Sequence, residues 1–271
     1  MKKLGMILGI LAVLALFSPV AQAIIAKVNG TIVFQDSYED GVIGDPPALD
    51  EPQVGSWVTD GDGQFLITDA DPKYGSQCIT TPSGGRGALN SSQFGSVTDD
   101  VVTFEFAVKP TTEWAYMALR DEVKEGEYEG GGLGSVVFCG DAPYSWGGQG
   151  WSDAGSIFIQ QEAGYNYGNG MVWTDTGMVV GQWNEIVMTN VVGSRTLSVS
   201  VNGGAAHDFT LLNQGVYNDG TEYEFTAENL EWFQLRNVAN NTNNAWDAIP
   251  EPATLALLAL GGLALIRRKR R

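Results

Sequence analysis

Aromatic residues concentrate in one stretch of the chain, residues 128–173, where Gly, Asn, Ser and Asp separate them. Trp and Tyr rings beside polar groups suit sugars, because the C–H face of a sugar stacks on the ring while its hydroxyl groups form hydrogen bonds. The alternative is that these rings are structural and pack the edges of the core. Segments 143–151 and 164–170 fit the binding pattern best, and the expected ligand contacts are Tyr144, Trp146, Trp151, Tyr165 and Tyr167.

Catalytic residues are not evident in the sequence. Glycosidases need two carboxylates that flank the scissile bond, and neither Asp121-Glu122 nor the pair Glu228 and Glu231 has a suitable spacing. The single histidine, His207, has no G-x-S-x-G nucleophile elbow to partner. The sequence therefore predicts a protein that is not an enzyme, with a glycosidase kept as the alternative.

Metal and thiol chemistry is restricted to a few residues. Asp60 and Asp62 have the i, i+2 spacing of a calcium loop but lack the distal Glu, so a calcium site and a solvated acidic turn both remain open. No other cofactor is expected, and zinc is excluded because there is no C-x-x-C and only one histidine. Cys78 and Cys139 would close a loop of about 60 residues if an exported chain joined them in a disulfide.

The first 23 residues have the three parts of a secretory signal peptide. Lys2 and Lys3 precede an apolar stretch, and Ala21 and Ala23 occupy the −3 and −1 positions of a cleavage site. An uncleaved membrane anchor is the alternative, but the Ala-x-Ala site favours cleavage after Ala23. The mature chain is therefore expected to leave the cytoplasm.

The C-terminus combines a short motif, an apolar run and a basic cluster. Pro250, Glu251 and Pro252 precede residues 253–266, an uninterrupted apolar run of 14 residues. A spanning helix usually needs about 20 apolar residues, but a run that ends in a basic cluster halts in the membrane with the cluster on the cytoplasmic side. We therefore expect a weak transmembrane helix whose stop residues are Arg267, Arg268, Lys269, Arg270 and Arg271.

The region between the two ends has the pattern of antiparallel β-strands. In residues 101–109 and 195–204 apolar and polar residues alternate, as one buried strand face requires. No stretch sustains a helical period, which favours two sheets packed face to face. Further strands are expected at 31–34, 63–68, 114–120, 134–138, 156–160, 183–190 and 231–236.

The domain organisation follows from these segments. We expect a signal peptide (1–23), a β-sandwich (24–238), a polar Asn-rich linker (239–249) and a sorting segment (250–271). Residues 24–249 carry 31 acidic and 8 basic side chains, a net charge of −23. Such a charge repels nucleic acid and anionic lipid, so neither is an expected partner of the domain.

Four segments resemble concanavalin A-like jelly rolls of the laminin-G or pentraxin type. FQDSYEDGVIGDPP (34–47) resembles the opening strand and turn of these folds. QWNEIVMTN and TLSVSVNGG (182–190 and 196–204) resemble their central hairpin, and FQLRN (233–237) the closing strand. The resemblance implies an antiparallel jelly-roll sandwich, a fold that often binds calcium. The laminarinase-like enzymes of this fold carry a Glu-x-Asp-x-x-Glu strand that this sequence lacks.

The order Pro-Glu-Pro, apolar run and basic end resembles the PEP-CTERM sorting signal. This resemblance implies an exosortase that recognises Pro250-Glu251-Pro252, and a bacterium that makes exopolysaccharide. The chain would pass through an inner-membrane intermediate, held by its C-terminal helix, to the cell envelope, surface or extracellular matrix. We therefore expect a non-catalytic module of the surface or biofilm matrix that binds exopolysaccharide or another matrix glycan. A secreted glycoside hydrolase and a purely structural matrix protein are the alternatives.

Overall fold

The computed structural model is built from β-strands throughout its described part. The described residues are 22–47, 52–58, 65–81, 87–111, 114–120, 132–140, 145–146, 149–150, 154–160, 175–194, 196–210, 214–216, 222–224, 230–237, 244–247 and 249–250. The first ten strands are β1 (Gln22–Val28), β2 (Thr31–Asp36), β3 (Trp57–Val58), β4 (Leu66–Thr68), β5 (Cys78–Thr80), β6 (Gly87–Ser91), β7 (Val101–Lys109), β8 (Trp114–Arg120), β9 (Gly132–Cys139) and β10 (Ser145–Trp146). They are followed by β11 (Gln149–Gly150), β12 (Ile157–Gln160), β13 (Asn184–Val191), β14 (Thr196–Val201), β15 (His207–Thr210), β16 (Gln214–Val216), β17 (Glu222–Glu224), β18 (Trp232–Asn237), β19 (Ala245–Asp247) and β20 (Ile249–Pro250).

Two antiparallel sheets form the body of the protein. The larger sheet has ten strands, with the order β15-β14-β13-β7-β19-β5-β4; β1 also pairs with β7, and β2 and β20 pair with β1. The smaller sheet has six strands in the order β12-β9-β8-β18-β6-β3. The pairs β10-β11 and β16-β17 are separate two-stranded ladders. The fold is the all-β, antiparallel jelly-roll sandwich that the sequence predicts.

Strand β7 shows why the apolar alternation leads to this fold. Val102, Phe104, Phe106 and Val108 are fully buried in the core. The opposite side chains of β7 point away from the core, as period-two geometry requires. β7 pairs with β13 over eight residues, from Val101↔Val191 to Val108↔Asn184. The alternation predicted for this strand is confirmed.

Turns with positive φ close the hairpins around β13 and β14. Gly193 has φ +87° between β13 and β14, and Ser194 donates its N–H to the carbonyl of Val191 at 2.8 Å. Asn202 and Gly203 have φ +51° and +70° after β14, where Asn and Gly are the residues that tolerate this region best. These turns connect β13 to β14 and β14 to β15, which are antiparallel neighbours in the larger sheet.

Aromatic rings from both sheets meet in the core. The Phe34 ring from the larger sheet lies 4.5 Å from Trp57 and 5.1 Å from Phe233, both of the smaller sheet. Phe104 of β7 lies 5.6 Å from Phe233. These are edge-to-face contacts, which add to the stabilisation from burial alone. The rings therefore hold the two sheets together.

The C-terminal part of the predicted linker is a core strand. The sequence predicts a polar linker over 239–249, but residues 244–247 are buried and β19 pairs with both β5 and β7. Strands β1 and β19 pair with the same edge of β7. β1 pairs with residues 102–105 of β7, up to the pair Ile25↔Glu105, and β19 pairs with residues 107–109. β1 and β19 thus lie end to end beside β7. A linker between sandwich and sorting segment is therefore not found at residues 244–247.

Membrane insertion was expected from residues 253–266, which lie outside the described part of the chain. In the part that the structure describes, no helix is long and apolar enough to cross a membrane. The signal-peptide residues before Gln22 also lie outside it, whereas Ala23 is the second residue of β1.

Candidate functional site

Trp246 anchors the C-terminal strand in the core. Its side chain is fully buried, and its ring lies 5.5 Å from Phe106 and 6.0 Å from Phe138. The indole N–H donates to Oδ1 of Asn237 at 3.3 Å. A buried indole needs such a partner for its N–H. Because Trp246 contacts both sheets, the segment just before Pro250-Glu251-Pro252 is an integral part of the sandwich.

Asn244 fixes the start of this strand with polar contacts. Its side-chain Oδ1 accepts the backbone N–H of Thr111 at 2.7 Å, and its carbonyl accepts the Thr80 hydroxyl at 3.0 Å. The carbonyl also accepts from Nδ2 of Asn237 at 3.2 Å. Asn244 is fully buried, so each of these bonds satisfies a group that would otherwise lose its partner on leaving water.

Asp247 ties the strand to the loop between β4 and β5. One carboxylate oxygen of Asp247 accepts the N–H groups of Lys73 and Tyr74, at 2.6 and 3.0 Å. Tyr74 in turn donates its hydroxyl to Glu185 of β13, and burial together with that bond holds the pKa of Tyr74 well above its usual value. The carboxylate of Asp247 therefore orders a loop and is committed to structural bonds.

The junction with the sorting segment is β20. Ile249 is 7% exposed and lies opposite Ala23, while Pro250 lies opposite Gln22. Pro250 is thus the only residue of the predicted Pro-Glu-Pro site that the structure describes; Glu251, Pro252 and the basic residues 267–271 lie outside the described residues. No polar spacer separates β19 from Pro250, because only residue 248 lies between the two strands.

Comparison with known families decides the nature of this segment. Residues 248–271 match the model of the PEP-CTERM protein-sorting motif. The chain carries a PEP-CTERM motif. This PEP-CTERM motif marks an exported protein that is sorted by an exosortase, and it begins one residue after the end of β19. The prediction from Pro250, Glu251 and Pro252 is confirmed at the level of the motif.

Solved structures that match the chain do so at low identity. The exoplasmic/lumenal domain of VIP36, in a Ca²⁺/Man2-bound form, matches at 10% identity and a TM-score of 0.46, over 78% of this chain and 84% of that chain. Domain 4 of AbnA, a GH43 extracellular arabinanase from Geobacillus stearothermophilus in complex with arabinotriose, matches at 13% and 0.40, over 88% and 99%. A carbohydrate esterase from the Shiga toxin-encoding bacteriophage phi24B matches at 13% and 0.41, over 71% and 87%. No curated protein matches the chain.

The predicted glycan contacts fall almost entirely on undescribed positions. Tyr144, Trp151, Tyr165 and Tyr167 lie outside the described residues. The backbone of Trp146 is described: it ends β10 and pairs with Gln149 of β11. The ligand-binding role of these five residues stays a prediction.

The candidate calcium residues Asp60 and Asp62 also lie outside the described residues. Within the described ranges, no group of three or more His, Cys, Asp or Glu side chains is arranged to hold a metal ion. The structure therefore leaves a calcium site at Asp60 and Asp62 as a prediction.

Buried carboxylates in the described part of the sandwich form structural contacts that the sequence did not reveal. Asp36 is 2% exposed and accepts the Tyr38 N–H at 2.8 Å and the indole N–H of Trp57. Glu105 is 7% exposed and accepts from Nζ of Lys27 at 2.5 Å. Glycosidase chemistry needs a pair of carboxylates free to face a substrate. These carboxylates instead hold backbone, indole and ammonium groups in place.

Cys78 and Cys139 are both buried, and the structure contains no disulfide between them. Cys78 belongs to β5 of the larger sheet and Cys139 to β9 of the smaller one. Burial, followed by the charges of Asp247 and Asp71, raises the pKa of the Cys78 thiol from 9.0 to about 12. The thiol is therefore protonated and unreactive at neutral pH.

Thiol titration tests this state of the cysteines. We expect no reaction with Ellman's reagent in the native protein and two reactive thiols after unfolding in concentrated urea.

Since the pKa of Cys78 is raised in the folded state, its contribution to the free energy of unfolding is complete below pH 9 and is lost as the pH rises towards about 12. Tyr38, whose pKa burial also raises, acts in the same direction. A protein with no thiols in urea and no loss of stability in alkali would contradict this assignment.

Proposed function

We propose that this protein is a non-catalytic module of the bacterial surface or biofilm matrix, which binds exopolysaccharide or another matrix glycan. The observation that carries the proposal is the PEP-CTERM motif that begins directly behind the core strand β19. A motif in this position delivers the folded sandwich itself to the cell exterior. An exosortase is the processing partner, and the C-terminal helix holds the chain in the inner membrane before processing.

The position of β19 supports delivery of an intact domain. Trp246 lies upstream of the motif, so removal of the residues after Pro250 leaves the aromatic core complete. A cut before residue 245 would instead take a fully buried indole out of the sandwich. Processing at the motif is therefore compatible with a stable domain outside the cell.

Glycan binding is supported by the composition of residues 143–151 and 164–170, where Trp and Tyr alternate with Gly, Asn and Ser. Rings in such surroundings stack on the C–H faces of sugars. The strongly acidic sandwich favours neutral or cationic glycans over anionic ones, because like charges repel. Catalysis is not part of the proposal, because the sequence offers no pair of carboxylates with the spacing of a glycosidase.

A glycan array with the full-length protein in detergent tests this function. We expect binding of at least one bacterial polysaccharide, weakened at least about tenfold by Trp146→Ala or Trp151→Ala, as is typical of a central aromatic contact. Trp183→Ala is the matched control, because Trp183 lies in a different region and donates its indole N–H to the Asp71 carbonyl at 2.8 Å. A parallel array with chelator measures any calcium dependence.

The outcomes separate the alternatives. Hydrolysis of a bound polysaccharide would show that the protein is a glycoside hydrolase and not a non-catalytic binding module. An array without binding or hydrolysis would favour a purely structural matrix protein. Equal losses in Trp146→Ala and Trp183→Ala would show that the effect is not specific to the predicted aromatic site.

A further inference from the structure

The two ends of the chain that are expected to be processed are paired with each other. Gln22 and Ala23, the last residues of the predicted signal peptide, form a two-residue antiparallel ladder with Pro250 and Ile249 of β20. Among the described strands, β1 is the one partner of β20. The first residue of Pro250-Glu251-Pro252 is thus held by residues that signal peptidase would remove.

The hydrogen bonds of this ladder can be assigned from its sequence. In an antiparallel ladder, one pair of opposite residues exchanges both N–H···O bonds and the next pair exchanges none. Proline has no N–H to donate, so Pro250 cannot belong to the bonded pair. The bonded pair is therefore Ala23 with Ile249, and the N–H of Ile249 depends on the carbonyl of Ala23.

Protein-processing enzymes commonly bind their substrates in extended form, and main-chain hydrogen bonds of an added strand provide affinity. A segment whose N–H and carbonyl groups are already paired cannot offer them to a second partner. Ile249 is 7% exposed in the paired arrangement. Residues 22–23 therefore occupy the strand position that an enzyme acting at Pro250-Glu251-Pro252 would need.

The cleavage site itself is enclosed once the sandwich has formed. Ile24 is fully buried and lies opposite Asp36 of β2, and Ile25 is fully buried opposite Glu105 of β7. A peptidase needs an extended, accessible segment around the Ala23–Ile24 bond. Cleavage must therefore take place before β1 docks between β2 and β7.

We propose that the β1–β20 ladder orders the two processing steps, so that only chains that have lost residues 1–23 expose the sorting motif. In the first step water hydrolyses the Ala23–Ile24 peptide bond, which leaves a carboxyl group on Ala23 and an amino group on Ile24. The mature chain then folds without a partner for Ile249, and the segment from Ile249 onwards is free to be bound as a strand. A chain that folds with its signal peptide attached hides the segment. This inference rests on the proposed sorting by an exosortase.

Hydrogen exchange of the Ile249 amide in the full-length protein tests the ladder directly. Ala21→Leu removes the small −3 residue and blocks cleavage, while it leaves Gln22 and Ala23 in place; Ala21→Ser keeps a small residue and is the matched control. We expect the Ile249 amide to exchange about tenfold more slowly in uncleaved Ala21→Leu than in the cleaved control, since one hydrogen bond is added. In the Ala21→Leu background, Ala23→Pro removes the N–H that donates to the Ile249 carbonyl while it keeps the carbonyl that accepts the Ile249 N–H; the ladder is weakened, and we expect the Ile249 amide to exchange faster than in Ala21→Leu alone. Equal exchange in all three proteins would overturn the proposal.

Processing in the producing cells gives a second, independent readout. We expect Ala21→Leu to retain Arg271, while Ala21→Ser is processed at its C-terminus like the wild type. Normal C-terminal processing of the uncleaved Ala21→Leu chain would overturn the ordering. Retention of Arg271 by the wild type would instead contradict sorting by an exosortase, and the exchange experiment would still decide whether the ladder exists.

Discussion

Trp246→Ala is expected to lower the free energy of unfolding by about 3–5 kcal/mol, the usual cost of removing a large buried aromatic side chain. The substitution leaves a cavity between Phe106 and Phe138, whose rings lie 5.5 and 6.0 Å from the indole. It also leaves Oδ1 of Asn237 without its indole donor. Urea denaturation followed by tryptophan fluorescence or circular dichroism measures the effect.

Trp183→Ala is the control for this measurement. Trp183 is partly exposed and makes one hydrogen bond through its indole, to the Asp71 carbonyl. We expect this substitution to cost about 1 kcal/mol. If residues 239–249 were a solvated linker, Trp246→Ala would cost less than about 0.5 kcal/mol, as surface substitutions do. Similar small costs for both variants would therefore contradict the assignment of β19 to the core.

Glu251→Gln is expected to reduce C-terminal processing at least about tenfold. Glu251 is the one charged residue between Asp247 and the basic cluster that starts at Arg267. A site built to pair with a carboxylate discriminates strongly against an uncharged analogue, because its own polar groups then lose their partner. The variant should accumulate in the membrane fraction with Arg271 intact, as mass spectrometry of that fraction would show.

Asp45→Asn provides the matched control for the loss of one carboxylate. Asp45 is exposed and lies in the loop after β2, far along the chain from the motif. We expect this variant to be processed and released like the wild type. Equal processing of Glu251→Gln and Asp45→Asn would show that the processing enzyme does not recognise the carboxylate of Glu251.

Strands with strict alternation could be predicted from the sequence. Val101–Lys109 has the bounds that the sequence predicts, because its apolar side chains alternate along the strand and the pattern is long enough to be unambiguous. Trp114–Arg120 also has the predicted bounds, although residues on both of its faces are buried. Long, periodic segments carry their own signal. The PEP-CTERM motif is similarly local, since its order and spacing lie within 24 residues.

Strands that depend on distant partners could not be predicted in the same way. β19 is three residues long and follows an Asn-rich stretch, so nothing in its composition separates it from a linker. Its stability comes largely from Phe106 and Phe138, which are far away in sequence, and from Asn237 of the preceding strand β18. β1 begins within the predicted signal peptide, and only its register with β2 and β7 shows that it belongs to the sandwich. Tertiary contacts of this kind override local patterns.

The candidate site was predictable in its chemistry but not in its placement. Pro250, Glu251 and Pro252 are evident from the sequence alone. Ile249 is buried opposite Ala23 because β1 and β19 share one edge of β7, which brings β20 next to the start of β1. No local sequence pattern reveals this arrangement.

Mass spectrometry of the C-terminus of the surface-located wild-type protein tests the central claim most directly. An exported domain sorted through its PEP-CTERM motif should end downstream of Trp246 and lack the basic residues 267–271. The C-terminus should lie after Trp246 because β19 belongs to the core, and before residue 267 because the basic cluster is part of the motif at 248–271. An intact Arg271 on surface-located protein would contradict the account.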